Sequence, residues 1–230
     1  RRRFEEASRH IYASQAPLWD RRWRLILAVG DFDPKERERL RSALFWQGFG
    51  LLGADCFVHP SADLTAAFDA LVAEGLSGHL DRLMPLLAAD SRSGLSANDA
   101  DLVRRAWNLE ELARSYAVFV STYLPILAEL RGDRQAEVGE EEAFLLRTLL
   151  IHDYRRLLLR DPELPDVLLP VDWSGQKARL LCKELYRRLE GPSERHLDQF
   201  LTLADGSNPP VDPAYAGRFP QDDPLAVSVA

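Results

Sequence analysis

Residues 23–30 read WRLILAVG, and residues 33–36 read DPKE. The first stretch is a short apolar run that ends at a glycine, which is typical of a buried strand. The second stretch places a capping aspartate at Asp33, a proline at the first helical position and a glutamate three residues after the cap, which predicts a helix start. The fold therefore opens with a strand and a helix that follows it closely.

The next residues continue this pattern to about position 90. The first helix is predicted to run to about Gln47, residues 51–60 hold one or two short strands, and Asp63 caps a second helix. Residues 82–87 form a last strand. The order strand, helix, two strands, helix, strand predicts an α+β fold, with a ferredoxin-like β-α-β-β-α-β domain over residues 21–92.

Residues 93–204 read as an all-α domain. Ser96 is expected to cap a helix whose single apolar face extends from Leu102 to Leu127, over more than one ordinary helix length. The acidic run at 140–142 suits the N-terminus of a second helix, whose predicted inner face carries Leu145, Leu149 and His152.

Two further helices and a tail complete the prediction. A helix is expected from Asp172 or Ser174 to about Leu189, with Gly191 after it, and Ser193 is expected to cap a last short helix. Residues 205–230 are rich in proline and are predicted to form an extended tail.

Composition limits the classes of function. The 230 residues carry a formal net charge of −7, which does not suit a protein that binds nucleic acid through bulk positive charge. The cysteines Cys56 and Cys182 lie far apart, and no apolar run is long enough for a membrane span. These features predict a cytoplasmic protein with two reduced thiols and no membrane partner.

Candidate catalytic or metal-ligating residues are few. Asp31 and Asp33 follow the first strand, where a carboxylate in a metal-dependent nuclease would bind a divalent ion, but Asp33 also reads as a helix cap. His152, Asp153 and Tyr154 are consecutive on a helix, so their side chains point in different directions and do not form one site. We therefore expect no enzyme activity, no catalytic residue, no resident metal and no cofactor.

Candidate ligand-binding residues are cationic or aromatic. Arg155 and Arg156 suit phosphate groups, although a solvated helix face is the commoner role of such a pair. Trp107, Tyr116 and Trp173 suit an aromatic-lined pocket, although core packing is the commoner role. His152 completes this set as either a core histidine or a ligand contact.

Several short motifs recur in a known family when their order and spacing are taken together. These motifs are Ile11-Tyr12 with 17–25, residues 37–41 with 44–50, and His152–Arg156 with 160–165, 168–175 and Leu185-Tyr186. Together they resemble the PaaX-type repressors of phenylacetate catabolism over about residues 1–203.

The resemblance implies a bacterial transcriptional repressor with three parts. A winged-helix DNA-binding domain comes first, and residues 1–20 would hold only its end and a linker, so that the DNA-contacting residues lie upstream. A ferredoxin-like domain (21–92) and a helical effector and dimerisation domain (93–204) follow. The implied protein is a homodimer that leaves its operator when it binds an aryl-acyl-CoA such as phenylacetyl-CoA. Two alternatives stay open at this point, a metal-dependent nuclease that uses Asp31 and a dimerisation module without a ligand.

Overall fold

The computed structural model describes residues 18–89, 98–132, 138–209 and 219. These residues form two compact units. A sheet unit contains residues 18–89, 98–111 and 161–171, and a helical unit contains residues 112–132, 138–160, 172–209 and 219. The predicted end of a winged-helix domain and its linker fall on residues 1–20, of which 1–17 lie outside the described residues.

The sheet unit has the predicted α+β architecture. Its elements are, in chain order, β1 (Arg22–Ala28), α1 (Pro34–Phe45), β2 (Gly50–Leu51), β3 (Cys56–His59), α2 (Leu64–Ala73), a 3-10 helix (Ser77–Arg82) and β4 (Leu83–Ala89). The four strands are ordered β2-β3-β1-β4, and every neighbouring pair is antiparallel. This order confirms the ferredoxin-like prediction.

Side-chain caps fix the starts of both helices, as predicted. Asp33 accepts hydrogen bonds from the backbone N–H groups of Lys35 and Glu36 at 2.8 Å, and the Glu36 carboxylate accepts one from the N–H of Asp33 at 3.0 Å. This reciprocal pair is a capping box. Asp63 caps α2 by accepting a hydrogen bond from the N–H of Thr65 at 2.8 Å.

One face of the sheet packs against α1 and α2. The buried cluster on this face includes Ile26 of β1, Phe57 of β3, Leu44 of α1 and Leu71 of α2. Burial of these side chains supplies most of the free energy that holds the sheet unit together.

The prediction of one long helix after residue 96 is wrong. The structure has α3 (Asp99–Ala106) and α4 (Leu109–Gly132), separated by Trp107 and Asn108. Asn98 caps α3 rather than Ser96, which lies outside the described residues, and Asn98 exchanges bonds with Asp101 in a second capping box. Trp107 has extended backbone angles of −131° and 145°, which end the helix.

The helical unit consists of most of α4 together with α5 (Glu140–Leu158) and α6 (Ser174–Phe200). Its buried core draws on all three helices, with Tyr116 and Tyr123 from α4, Leu150 from α5 and Leu185 from α6.

The predicted break at Gly191 and Ser193 is also wrong, because α6 is continuous through Pro192. A residue before proline is normally pushed out of the helical region by a clash between its Cβ and the proline ring. Gly191 has no Cβ, so the helix continues and buries Ser193 completely.

Candidate functional site

An aromatic layer forms the interior of the helical unit. The rings of Tyr116 and Trp173 meet edge to face with centroids 5.6 Å apart, and Tyr116 is buried. Phe119 lies 4.8 Å from Tyr123 and 5.6 Å from Tyr154, again between ring centroids. The structure therefore places two of the predicted ligand contacts, Tyr116 and Trp173, in direct contact with one another.

The DWSG motif at 172–175 has a steric explanation. Trp173 is the residue that precedes α6, and its indole lies over the start of the helix. A Cβ added to Gly175 would lie 2.4 Å from Trp173 Nε1. Gly175 therefore allows the indole to fold back and reach Tyr116.

Trp107 belongs to the sheet unit, apart from the other predicted aromatic contacts. Its indole Nε1 donates a hydrogen bond to the carbonyl oxygen of Gly48 at 3.0 Å, and its ring lies 6.4 Å from that of Trp23. Gly50 lies against the same indole, since a Cβ there would be 2.6 Å from Trp107 Cε2. Trp107 is thus a buried packing residue that ties α3 to the sheet.

The predicted inner face of α5 is wrong. Leu145 and Leu149 are 52% and 57% exposed, and His152 is exposed as well. The buried residues of this helix are Ala143, Arg147, Leu150, Tyr154 and Leu157. Two apolar stripes with the same helical spacing run along α5, and spacing alone does not show which of them faces the core.

His152, Asp153 and Tyr154 lie in three different environments and do not form one site. His152 is exposed, whereas Tyr154 is buried in the core. Tyr123 of α4 donates a hydrogen bond from its hydroxyl to Asp153 Oδ2 at 2.8 Å. Burial and, secondly, this bond to a carboxylate raise the pKa of Tyr123 far above its usual range, so the phenol stays protonated.

Arg155 and Arg156 lie near the C-terminal end of α5. Arg155 is half-buried and Arg156 is exposed. Consecutive residues of an α-helix are about 100° apart around the axis, so the two guanidinium groups do not act as one clamp. Any phosphate contact through them would use the two side chains on separate sides of the helix.

A second cluster in the helical unit was missed by the sequence analysis. The Arg147 guanidinium carbon lies 5.5 Å from the centroid of the Tyr186 ring, and Arg147 Nη1 forms an ion pair with Glu194 Oε1 at 2.6 Å. Phe219 is 4% exposed, and its ring lies 5.2 Å from that of Tyr186. Arg187 donates a hydrogen bond to the carbonyl oxygen of Phe219 at 2.7 Å.

The sequence offered one signal for this cluster. Phe219 is one of two aromatic residues, with Tyr215, in a proline-rich stretch that we assigned to an extended tail. The structure instead places Phe219 in the core of the helical unit.

One of the two acidic residues after β1, Asp33, has a structural role for its carboxylate. Asp33 is the cap of α1, and the carbonyl oxygen of Asp31 accepts a hydrogen bond from Arg82 at 2.7 Å. Within residues 18–89, 98–132 and 138–209, no group of three or more histidine, cysteine or acidic side chains could bind a metal ion. The helices of these same segments include none that is both long and apolar enough to cross a membrane.

The stretch 161–170, which belongs to the quoted motifs, forms turns within the sheet unit. Asp161 accepts a hydrogen bond from the N–H of Glu163 at 2.8 Å, and Glu163 has a positive φ of 52°. The carbonyl oxygen of Pro162 lies 3.3 Å from Nε2 of His59, and Leu164 is buried. These residues are therefore conformational and packing residues.

Comparisons with known proteins agree with this architecture. Residues 16–92 match the family described as the PaaX protein central Cas2-like domain, and residues 107–199 match the PaaX-like protein C-terminal domain. The chain is 32% identical over 216 residues to the transcriptional repressor PaaX of Escherichia coli strain K12. That match covers 93% of this chain and 66% of the repressor, slightly less than two thirds of its length.

A solved structure shows the same fold. The uncharacterized protein Rv0674 from Mycobacterium tuberculosis superposes with a TM-score of 0.53 at 21% identity, over 83% of this chain and 71% of that one. The sheet order, the turn motif and the matches to both domain families lead to one conclusion: the chain belongs to the PaaX-type family.

Proposed function

We propose that this chain is the dimerisation and effector-binding part of a bacterial transcriptional repressor. The repressor leaves its operator when an aryl-acyl-CoA, such as phenylacetyl-CoA, binds. The observation that carries the proposal is the 32% identity to a transcriptional repressor over 93% of the chain. A protein with this task works in the cytoplasm, where the operator is, and catalyses no reaction.

The charge of the chain indicates that DNA contact and dimerisation belong to different parts of the protein. Operator affinity depends on the neutralisation of phosphates by Lys and Arg, and the chain carries a net charge of −7. We assign DNA contact to a winged-helix domain N-terminal to residue 21. The described residues then serve to pair two such domains and to couple them to the effector.

The second face of the sheet, which Trp107 covers only in part, supports a homodimer. Opposite the helix-packed face, Leu25 pairs with Val58 and Leu86, and Leu27 pairs with Cys56 and Met84. Residues opposite one another in register share a face. This face is therefore apolar both in the row through Leu25 and in the row through Leu27.

Part of this surface is open. Val58 is fully buried, whereas Met84 and Leu86 are 46% and 40% exposed. Met84 and Leu86 lie on β4, which is an edge strand of the sheet. The same strand contains Pro85, which disfavours strand addition at that edge. We therefore propose that two copies meet through the sheet face, in a symmetric contact where each copy contributes the same residues.

The helical unit has the chemistry that an aryl-acyl-CoA requires. The aryl group needs an apolar slot, which aromatic residues such as Tyr116 and Trp173 could line, and the phosphates need cations such as Arg155 and Arg156. An effector shifts the equilibrium between two arrangements of the dimer only by its difference in affinity for them. It would release the operator by changing the spacing of two recognition helices, which must match one DNA turn of ~34 Å.

The experiment that tests this function uses the full-length protein. A duplex that it binds is selected from a random-sequence library, and binding is followed by fluorescence anisotropy with added phenylacetyl-CoA or free CoA. We expect a two-fold symmetric site that phenylacetyl-CoA releases and free CoA does not. Operator binding that no acyl-CoA changes would contradict the effector, and the absence of any selected site would contradict the repressor.

The same samples address the two alternatives. Cleavage of the duplex with Mg²⁺ or Mn²⁺, lost in Asp31→Ala, would replace the repressor with a nuclease. Dimerisation without DNA selection or acyl-CoA binding would leave a dimerisation module.

A further inference from the structure

We propose that the apolar site around Phe219, which Tyr186 and Arg187 border and which we call the socket, is the aryl-acyl site of this protein. The side chain of Phe219 occupies the socket when the effector is absent. This inference rests on the proposed function for its ligand class. It differs from that proposal in placing the aryl group against Tyr186 rather than against Tyr116 and Trp173, and in naming an internal competitor.

The socket is a built apolar site in the helical unit. Phe219 is 4% exposed and joins a core cluster that includes Tyr186 and Leu189 of α6. The Phe219 and Tyr186 rings are 5.2 Å apart at an angle of 57°, a favourable geometry for two aromatic rings. The socket therefore already accepts a phenyl ring.

A cation beside the socket recognises a carbonyl group. Arg187 donates a hydrogen bond at 2.7 Å to the carbonyl oxygen of Phe219. The group bound is a phenyl ring joined by two carbons, Cβ and Cα, to a carbonyl. A 3-phenylpropionyl thioester presents the same atoms in the same order, and a phenylacetyl thioester is one carbon shorter.

A second arginine packs against the same Tyr186 ring. The Arg147 guanidinium lies over the Tyr186 ring at 5.5 Å, and the whole residue is 9% exposed. It is bonded to Glu194 at 2.6 Å, which holds it in position. The socket thus combines apolar walls with the Arg187 cation, the combination that an aryl-acyl group attached to an anionic carrier needs.

The backbone of Phe219 is strained, which favours replacement of its ring in the socket by a ligand. Its φ is +48°, in the left-handed region that a bulky residue rarely adopts. Such a conformation persists only because surrounding contacts hold it, and a ligand that replaces the ring releases the strain. An internal occupant also lowers the apparent affinity of a ligand by the fraction of time that the socket is closed.

The first experiment titrates 3-phenylpropionamide into the wild-type chain and into Phe219→Ala, with binding followed by ligand-observed NMR. We expect Phe219→Ala to bind at least about tenfold more tightly, because the ring that competes for the apolar site is gone. Phe200→Ala is the matched control, since Phe200 is on the same unit and 72% exposed. It should bind like the wild type.

The second experiment separates a recognition site from a mere cavity. A cavity left by a deleted ring would accept ethylbenzene as well as the amide. We expect Arg187→Met in the Phe219→Ala background to weaken 3-phenylpropionamide by about tenfold and to leave ethylbenzene unchanged, because only the amide uses the charged hydrogen bond. Phe219→Leu, which keeps the core filled in part, replaces Phe219→Ala if circular dichroism shows the latter to be unfolded.

Equal affinity in the wild type and in the folded Phe219 variant, or equal loss of both ligands in Arg187→Met, would overturn the proposal. The failure of the proposed function looks different. If 3-phenylpropionamide binds in a way that depends on Arg187 but no acyl-CoA changes operator binding, the socket is a binding site and the proposed effector role is wrong. If phenylacetyl-CoA releases the operator equally well from the wild type and from the Phe219 and Arg187 variants, the proposed function stands and the socket is not the effector site.

Discussion

His59 and Pro162 are joined by a hydrogen bond of 3.3 Å between the imidazole Nε2 and the proline carbonyl oxygen. The other ring nitrogen of His59, Nδ1, accepts bonds from the backbone N–H groups of Ser61 and Ala62 at 3.0 and 2.7 Å. Nδ1 therefore carries no proton, and Nε2 is the donor to Pro162. This neutral imidazole fastens the 161–170 turn motif within the sheet unit.

The first prediction is that acid weakens this attachment. Burial lowers the pKa of His59 from 6.5 to about 4, because a buried imidazolium is poorly solvated. The folded pKa lies below the unfolded one, so the stabilisation is complete above pH ~6.5 and is lost as the pH falls toward 4. The full loss is about 3 kcal/mol.

Urea unfolding at several pH values checks this prediction. His59→Gln should start less stable than the wild type and should change less between pH ~6.5 and ~4. His152→Gln alters an exposed imidazole and should follow the wild type. Wild type and His59→Gln having the same pH dependence would show that His59 is not the titrating group.

The second prediction concerns the indole at the start of α6. Gly175→Ala should destabilise the helical unit by about 1–3 kcal/mol, because the new Cβ would lie 2.4 Å from Trp173 Nε1 and force the indole off Tyr116. Gly132→Ala is the control, since no atom lies within 4 Å of its added Cβ. Thermal unfolding and near-ultraviolet circular dichroism report the two effects. A Gly175→Ala protein as stable as Gly132→Ala would disprove the steric account.

The third prediction tests the sheet face as a dimer contact. Leu86→Asp should give monomers in light-scattering chromatography, because it places a carboxylate in the centre of the proposed apolar interface. Leu87→Asp is the matched control on the same strand. Leu87 is 59% exposed and pairs with Arg24, so it points to the opposite face and its variant should remain dimeric. Dimers with Leu86→Asp would place the contact elsewhere.

The fourth prediction concerns the cations at the end of α5. Substituting Arg155 and Arg156 by Ala should raise the Kd of phenylacetyl-CoA by at least about tenfold while leaving the fold intact, since each phosphate bond lost costs about 1.5–3 kcal/mol. Arg188→Ala, which removes an exposed arginine already paired with Glu184 at 3.1 Å, should bind normally. Titration calorimetry measures both. Equal Kd values in all three proteins would remove these arginines from the site.

The sheet unit was largely predictable from the sequence because its signals are local. Asp33 and Asp63 are caps whose partners lie within three residues, and Ile26 sits in a short apolar run bounded by a glycine. The helical unit was less predictable because its decisive contacts join distant residues. The spacing of Leu145 and Leu149 is as regular as that of Ala143 and Leu150, and only packing distinguishes the two faces.

The candidate site shows the same limit. Trp107 has the residue type of a ligand contact, but its hydrogen bond to Gly48 makes it part of the sheet unit. Phe219 looked like part of a tail because proline-rich composition predicts extended chain, while its burial depends on Tyr186 and Arg187 in a helix that precedes it. Sequence pattern gives the residue type at such positions and not the partner.

The most direct test of the central claim is a thermal-shift titration of this chain with phenylacetyl-CoA, with 3-phenylpropionyl-CoA and with free CoA. A ligand at about 100 times its Kd stabilises the folded state by about 2.7 kcal/mol, which raises Tm by several degrees in a chain of this size. We predict that both aryl-acyl thioesters raise Tm and that free CoA does not. No change in Tm with either thioester would contradict an aryl-acyl-CoA sensor in these residues.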